Sequence, residues 1–261
     1  MNHVAPSISP LAYIHPEAVI GENCEIGPFC YIDKNVVIGK GNRLMNSVTL
    51  LDGTRMGDEN VVFPGAVIGA IPQDLKFVGE ETTAEIGNKN TIRENVTINR
   101  GTAAKGKTVV GNGNLLMEGM HVGHDVIIGN GCIIGNSTKL AGEVIVDDFA
   151  IISAAVLVHQ FCRIGSYVMV SGGTRTGQDV PPYTMAAREP VAYSGLNIVG
   201  LRRRGFAPEV IENIHNAYRL LYQRGKLFEE RIAEIREQVP MSKEIEYILD
   251  FVTTSKRGII K

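Results

Sequence analysis

Residues 121–150 read HVGHDVIIGNGCIIGNSTKLAGEVIVDDFA, in which every sixth residue from Val122 to Val146 is aliphatic. The six-residue period continues without a break from Val110 to Val170 and extends back to Ile14, with interruptions at Asp74, Glu80 and Ala104. A glycine often follows the aliphatic residue, and a small or medium residue comes four positions after it. This period fits neither the 3.6-residue repeat of an α-helix nor the two-residue alternation of a strand.

A fixed short repeat of this kind is typical of a solenoid, in which each unit buries its apolar side by stacking on the next. Three such hexads would form one triangular coil of about 18 residues. The pattern resembles the hexapeptide repeat of the left-handed parallel β-helix, and the left-handedness is implied by this resemblance. We therefore expect an all-β left-handed parallel β-helix over residues 1–189.

The period is interrupted or lost in three segments. Two polar interruptions, near residues 72–84 and 101–108, predict loops on the outside of the β-helix, where binding residues often lie. After Pro190 the apolar spacing becomes helical, at three- and four-residue intervals from Val210 to Tyr222. Residues 190–261 are therefore expected to form a small domain of three helices, over about 207–224, 227–239 and 242–253.

Composition excludes several classes of function. The chain has 261 residues and a formal net charge of −2, which gives no reason to expect nucleic-acid binding. The longest apolar run, 149–158, is too short to span a bilayer. The first sixteen residues lack the basic and apolar regions of a secretory signal. These observations predict no integral membrane segment and a cytoplasmic location.

The four cysteines all fall on the small inward position of a hexad. Cys24, Cys30, Cys132 and Cys162 are therefore interpreted as small buried apolar residues. No disulfide and no cysteine metal site is expected.

Because residues 18 apart should lie on consecutive coils, about 5 Å from each other, the sequence can be compared across coils. His124 then stacks on Gly142, and Gly123 lies two coils from His159. His121, His124, Gly142 and His159 are therefore predicted to share one edge of the prism.

The residues on this edge suit acid–base chemistry. Asp125 follows His124 and could hold the imidazole in one tautomer, while a neutral imidazole can take a proton from a hydroxyl near neutral pH. The Gly142 amide, which no side chain covers, could stabilise an oxyanion one coil away.

A zinc site of the kind found in β-helical carbonic anhydrases is the main alternative for these histidines. It requires two closely spaced histidines at its end, and no histidine follows His159 until His215. The sequence therefore predicts no metal and no other cofactor.

Seven motifs carry a resemblance that covers nearly the whole chain. They are QDLKF at 73–77, IRENVTINRGT at 92–102, HVGHDVIIGN at 121–130, LAGEVIVDDFAII at 140–152, VHQF at 158–161, QDVPPY at 178–183 and NIVGLRRRGF at 197–206. Together they resemble the UDP-N-acetylglucosamine O-acyltransferase family of lipid A biosynthesis.

The resemblance implies transfer of an (R)-3-hydroxyacyl chain from acyl carrier protein to the 3-hydroxyl of UDP-N-acetylglucosamine, the first step of lipid A assembly. It implies a homotrimer with active sites between neighbouring β-helices. By position, His124 matches the general base, Asp125 its partner and Gly142 the oxyanion donor. The residues that match contacts to the sugar or acyl group are Gln73, Asp74, Lys76, His121, His159 and Gln160. Asn197, Arg203 and Arg204 match the nucleotide-binding region.

Some positions bear on selectivity. Asn99 and Glu143 stand where family members often have histidine, and Val199 replaces an acidic residue. Gly172 matches the position that limits acyl length, and a glycine there leaves the groove open, which predicts a long acyl chain.

A related family remains an alternative. The UDP-3-O-acylglucosamine N-acyltransferases use the same donor on an amine, but carry an additional N-terminal nucleotide-binding domain. The hexads here begin by Ile14, which favours the O-acyltransferase.

Overall fold

The computed structural model describes residues 8–261. Residues 1–7, on which the prediction of no secretory signal partly rests, lie outside the described residues. From Tyr13 onward, the chain winds through short strands separated by tight turns.

The first thirteen strands are β1 (Tyr13–Ile14), β2 (Val19–Ile20), β3 (Glu25–Ile26), β4 (Tyr31–Ile32), β5 (Val37–Ile38), β6 (Arg43–Leu44), β7 (Thr49–Leu50), β8 (Thr54–Met56), β9 (Val61–Val62), β10 (Val67–Ala70), β11 (Thr83–Ile86), β12 (Thr91–Ile92) and β13 (Thr97–Asn99). The remaining fourteen are β14 (Lys107–Val110), β15 (Leu115–Leu116), β16 (His121–Val122), β17 (Ile127–Ile128), β18 (Ile133–Ile134), β19 (Lys139–Leu140), β20 (Ile145–Val146), β21 (Ile151–Ile152), β22 (Leu157–Val158), β23 (Arg163–Ile164), β24 (Met169–Val170), β25 (Arg175–Thr176), β26 (Thr184–Ala187) and β27 (Ala192–Leu196).

These strands form three sheets. Sheet 1 has the order β1-β4-β7-β10-β13-β16-β19-β22-β25, sheet 2 the order β2-β5-β8-β11-β14-β17-β20-β23, and sheet 3 the order β27-β26-β24-β21-β18-β15-β12-β9-β6-β3. All pairs are parallel except β26 with β27. Each coil thus passes sheets 1, 2 and 3 in turn, and the predicted left-handed parallel β-helix is confirmed.

The pairing register explains why the six-residue period predicts the fold. Val122 lies opposite Leu140, which is 18 residues further on and in the next coil. Val122 and Leu140 are fully buried, and Val158 is 3% exposed. Burial of each such side chain stabilises the fold by about 1.5–3 kcal/mol.

Two segments enlarge their coils. Ile86 lies opposite Met56, 30 residues earlier, and Val110 lies opposite Ile86, 24 residues earlier. Compared with 18, these coils contain 12 and 6 extra residues. The insertions lie at the loops 71–82, after β10, and 100–106, after β13, in the two segments where the period predicted external loops.

The inward positions that are not aliphatic are satisfied in different ways. All four cysteines are buried and free, and burial raises the pKa of the Cys132 and Cys162 thiols to about 12 and about 11. A ladder of buried asparagines, Asn42, Asn60, Asn90 and Asn114, carries hydrogen bonds from coil to coil. These residues stabilise the interior without reactive chemistry.

The C-terminal part contains four helices, where three were predicted. They are α1 (Ile198–Arg203), α2 (Pro208–Leu221), α3 (Phe228–Gln238) and α4 (Lys243–Thr254). The six-residue helix α1 was missed because it is too short for an apolar period to appear. Strand β27 lies between Pro190 and α1. No helix among residues 8–261 has the length and apolar character needed to cross a bilayer.

Candidate active site

The turns between sheets 1 and 2 form one edge of the prism, which we call the histidine edge; it includes residues 123–126, 141–144 and 159–162. His124 and Gly142 lie in consecutive coils there, where the Glu143 N–H donates to the His124 carbonyl over 2.9 Å. His121 is instead the outward residue of β16, on the flat face of sheet 1, and His159 directly follows β22. The predicted edge therefore includes part of the adjoining face.

His124 is held by the residue that follows it. Its Nδ1 lies 2.8 Å from Oδ2 of Asp125, whose side chain is fully buried. A buried carboxylate needs hydrogen-bond donors, and a proton on Nδ1 supplies one. In a neutral imidazole, a proton on Nδ1 leaves Nε2 without one and able to accept it.

Two threonines that sequence reasoning did not assign complete the surroundings of Asp125. Thr102 donates to the carboxylate through its hydroxyl at 2.6 Å and its backbone N–H at 3.0 Å. The Asp125 N–H donates to the Thr108 hydroxyl over 2.8 Å. No sequence signal indicated these contacts, because the 101–108 interruption breaks the 18-residue offset on which stacking depends.

Gly142 leaves room for the His124 ring. A Cβ atom at this position would lie 2.4 Å from Nε2 of His124, so any side chain would displace the imidazole. The Gly142 N–H makes no hydrogen bond within residues 8–261. A free amide donor therefore lies one coil from an imidazole nitrogen.

The 71–82 loop brings an acidic residue to the same edge. Oδ2 of Asp74 lies 3.9 Å from Nε2 of His124, too far for a direct hydrogen bond. Asn99, one of the two positions where histidine is often found, donates to the Ile71 carbonyl over 2.5 Å and so anchors the start of the loop. Gln73 and Lys76 are exposed on it.

A basic and an acidic side chain flank the pair. Nζ of Lys105 lies 3.4 Å from the Asp125 carbonyl and 3.9 Å from the Glu143 carboxylate. Glu143, the second of those two positions, thus makes a half-buried ion pair with Lys105 on the histidine edge.

The face of sheet 1 next to this edge contains a depression of about 560 Å³. Its lining includes His121, Lys139, Leu157, His159 and Arg175. Nδ1 of His159 lies 3.2 Å from the backbone oxygen of the half-buried residue Gln160. The depression joins apolar and basic surface on the face of sheet 1 that adjoins the histidine edge.

The surroundings of His121 disfavour its charged form. Burial, then the positive charge of Lys139, and then His124 whenever its own ring is protonated, hold the pKa of His121 below its ordinary value. A 2.7 Å hydrogen bond joins Nδ1 to the Thr97 hydroxyl.

The pKa of His121 predicts a pH-dependent stability. As pH falls through about 6.5, the unfolded chain binds the proton first, so the free energy of unfolding decreases until the folded protein is also protonated. We expect the difference in free energy of unfolding between the wild type and His121→Gln to decrease as the pH falls from about 8 to about 5. Urea unfolding across this range measures it; parallel curves for the two proteins would contradict the expectation.

Other predicted site residues lie on the other two edges. Gly172 is exposed between sheets 3 and 1, where its nearest neighbour is the Ala154 carbonyl. Arg204 directly follows α1, and its guanidinium lies 4.4 Å from the centre of the Phe149 ring, which belongs to the turn between sheets 2 and 3. The predicted site is therefore distributed over three edges of one chain.

The nucleotide-region residues differ in exposure. Asn197 is buried and caps α1, accepting from the Gly200 N–H and donating to the Tyr167 carbonyl. Arg203 and Val199 are exposed on α1. Asn197 is thus held within the fold, whereas the charged side chains of Arg203 and Arg204 are exposed.

The described part of the chain, residues 8–261, brings together no group of three His, Cys, Asp or Glu side chains that could hold a metal ion. The pair His124 and Asp125 has one further carboxylate, Asp74, at 3.9 Å. The arrangement is that of an oriented imidazole beside an amide donor that has no partner among residues 8–261.

Three sequence families match parts of the chain. Residues 179–260 match the family described as UDP N-acetylglucosamine O-acyltransferase, domain 2. Residues 107–142 match the bacterial transferase hexapeptide, and residues 8–109 match the GMPPB C-terminal domain.

Solved structures resemble nearly the whole chain. A UDP-N-acetylglucosamine acyltransferase from Bacteroides fragilis is 67% identical, with 97% of this chain and 100% of that one covered and a TM-score of 0.95. The Francisella novicida UDP-N-acetylglucosamine acyltransferase is 42% identical, with 97% and 93% covered and a TM-score of 0.94. A UDP-N-acetylglucosamine O-acyltransferase from Moraxella catarrhalis is 38% identical, with 98% and 100% covered and a TM-score of 0.93.

Proposed function

This chain belongs to the UDP-N-acetylglucosamine O-acyltransferase family, and we propose that it transfers an (R)-3-hydroxyacyl chain from acyl carrier protein to the 3-hydroxyl of UDP-N-acetylglucosamine. The observation that carries the proposal is the hydrogen bond between His124 and the buried Asp125, with Nε2 directed at the Gly142 coil. This geometry suits proton removal from a hydroxyl beside an oxyanion donor.

In the first step, Nε2 of His124 accepts the proton of the sugar 3-hydroxyl as its oxygen attacks the thioester carbonyl. Asp125 accepts from Nδ1–H and stabilises the imidazolium that forms. Proton transfer by a positioned histidine contributes roughly 10²–10⁴ in rate.

In the second step, the carbonyl oxygen of the tetrahedral intermediate accepts from the Gly142 N–H. The intermediate then collapses, the carbon–sulfur bond breaks, and the thiolate of the carrier takes the proton from His124. One ester forms and one thioester is lost, so the reaction balances without an oxidant or reductant.

Substrate contacts are assigned by position and exposure. A sugar held between Asp74 and His124 would present its 3-hydroxyl to His124, and Asp74 lies near enough to accept a hydrogen bond from another group of the same sugar. Gln73, Lys76, His121, His159 and Gln160 would complete the sugar and acyl contacts. Arg203 and Arg204 suit a diphosphate, because guanidinium groups bind phosphate in bidentate fashion, and Asn197 holds the turn that precedes them.

A homotrimer belongs to the same proposal. His124, Gly172 and Arg204 lie on three different edges of one chain, and the face of one prism does not enclose a ligand. Neighbouring copies would bring different edges together in one cleft.

The pathway and compartment are also proposed. The product is the acylated nucleotide sugar that begins lipid A assembly. The four cysteines are free, as is usual in a reducing compartment such as the cytoplasm.

The deciding assay supplies UDP-N-acetylglucosamine and a series of 3-hydroxyacyl carrier proteins, with the product detected by mass spectrometry. An ester product is cleaved by mild base, whereas an amide, the product of the alternative N-acyltransferase on an amine acceptor, survives. Metal analysis of the active protein tests the zinc alternative. Absence of acylated sugar at every chain length would rule out the proposed function.

Gly172 should influence chain length. A Cβ there would lie 3.2 Å from the Ala154 carbonyl, and a longer side chain would extend over the exposed edge. We expect Gly172→Met to lower kcat/KM for long donors by about 10-fold or more, since excluding each methylene costs about 0.8 kcal/mol. Shorter donors in the same series are the control. An unchanged length preference would show that Gly172 does not limit the groove.

A further inference from the structure

The 101–108 segment contacts the histidine edge at both of its ends. Thr102 at its start and Thr108 at its end both hydrogen-bond Asp125. The turn between them is closed by a 2.7 Å hydrogen bond from the Gly106 N–H to the Thr102 carbonyl. The segment is therefore a closed loop whose two threonines contact one residue.

The direction of the Thr102 hydroxyl is fixed. Its oxygen accepts from the Ala104 N–H over 3.2 Å, so its own hydrogen is free for Oδ2 of Asp125 at 2.6 Å. The same Oδ2 receives Nδ1–H of His124. With the Thr102 N–H on Oδ1, the carboxylate accepts three hydrogen bonds, as an ionised acid does.

Thr108 holds the backbone of the same residue. Asp125 has a φ of +60°, a left-handed conformation that L-residues rarely adopt. Its N–H donates to the Thr108 hydroxyl, which is fully buried. Thr108 therefore stabilises the turn that directs the Asp125 side chain back toward His124.

We propose that Thr102 and Thr108 are positioning residues that hold Asp125 so that His124 keeps its proton on Nδ1 and presents an unprotonated Nε2. The inference rests on the proposed function for its kinetic consequence. Its structural consequence, the tautomer of His124, does not depend on which substrate is used.

The alternative is that both threonines only stabilise the fold. Thr138 supplies the matched control, because it is also buried and its hydroxyl, like that of Thr102, makes two hydrogen bonds: it donates to the Ser153 carbonyl and accepts from the Val156 N–H. It lies between sheets 3 and 1, away from the histidine edge. Thr138→Val should therefore reproduce the loss of stability without affecting His124.

The experiment compares Thr102→Val, Thr108→Val and Thr138→Val with the corresponding serine variants. We expect Thr102→Val to lower kcat by about 10- to 100-fold, as loss of a charge-assisted hydrogen bond does, and Thr108→Val by about 3- to 10-fold. KM for the nucleotide sugar should change by less than about twofold, since neither threonine faces the ligand. Serine, which keeps the hydroxyl, should restore most activity at both positions.

Nitrogen-15 NMR of labelled histidine gives the second readout. In wild type and Thr138→Val, His124 should be in one tautomer with Nδ1 protonated, whereas Thr102→Val should show a mixture. If Thr102→Val does not fold, the smaller Thr102→Ala and Thr108→Ala substitutions are measured in the same way.

The proposal is overturned if the threonine variants match Thr138→Val in both kcat and His124 tautomer. If wild-type protein makes no acylated sugar, the proposed function fails, and the NMR comparison still decides whether the threonines position His124.

Discussion

His124→Ala is expected to lose about 10²–10⁴-fold in kcat, because it removes the group that accepts the hydroxyl proton. The KM for UDP-N-acetylglucosamine should change little, since the sugar contacts assigned to Asp74 and the nucleotide contacts of the arginines remain. The measurement is steady-state acyl transfer from a hydroxyacyl carrier protein. Residual activity would come from the Gly142 amide and substrate positioning.

The fold should survive this change. Asp125 keeps both hydrogen bonds from Thr102 when the imidazole is removed, so the carboxylate is not left without donors. His215→Ala is the control, because His215 is exposed on α2, whereas the histidine edge consists of turns of the β-helix. Retention of more than about a tenth of wild-type kcat by folded His124→Ala would exclude a general-base role.

The β-helix could be predicted because one period specifies every coil. The hexads of Ile26 and Val146 predict the same local structure, because both aliphatic side chains face the interior and pair with their counterparts in a neighbouring coil. The contact between His124 and Gly142 follows from the same register. Prediction therefore extends as far as the period continues.

Contacts that involve the insertions could not be predicted in this way. The offset between paired residues grows from 18 to 30 and 24 where the loops are inserted. The contact of Thr102 with Asp125, and the approach of Asp74 to His124, depend on loop conformation that no period encodes. Likewise, α1 depends on Asn197, whose side chain reaches the Tyr167 carbonyl 30 residues away.

The six-residue period also could not predict that the candidate site residues lie on three different edges. Stacking relates residues on one edge, but it does not show which edges meet in an assembly. Gly172 and Arg204 were assigned through the family resemblance, and one chain leaves them apart from His124. Their joint role therefore remains a prediction that depends on the proposed trimer.

Gly142→Ala is expected to lose about 10²-fold or more in kcat, although the new residue keeps the backbone N–H. The added Cβ would lie 2.4 Å from Nε2 and 2.5 Å from Cε1 of His124, so the ring must move away from its position against Asp125. Gly113→Ala is the control, since a Cβ there would have no atom within 4 Å. The only strain it would introduce comes from the positive φ of +63° at this position. Acyl transfer by the two variants measures the difference.

The double variant His124→Ala/Gly142→Ala tests whether the effect acts through the ring. Once the imidazole is absent, the alanine methyl group has space, so the second substitution should cost little further activity. The free energy of unfolding of the double variant should also exceed the value expected if both single effects were added, because the clash no longer exists. Additive losses in both activity and stability would mean that Gly142 acts independently of His124. A non-additive result would show that Gly142 matters because its lack of a side chain leaves space for the His124 ring in the preceding coil.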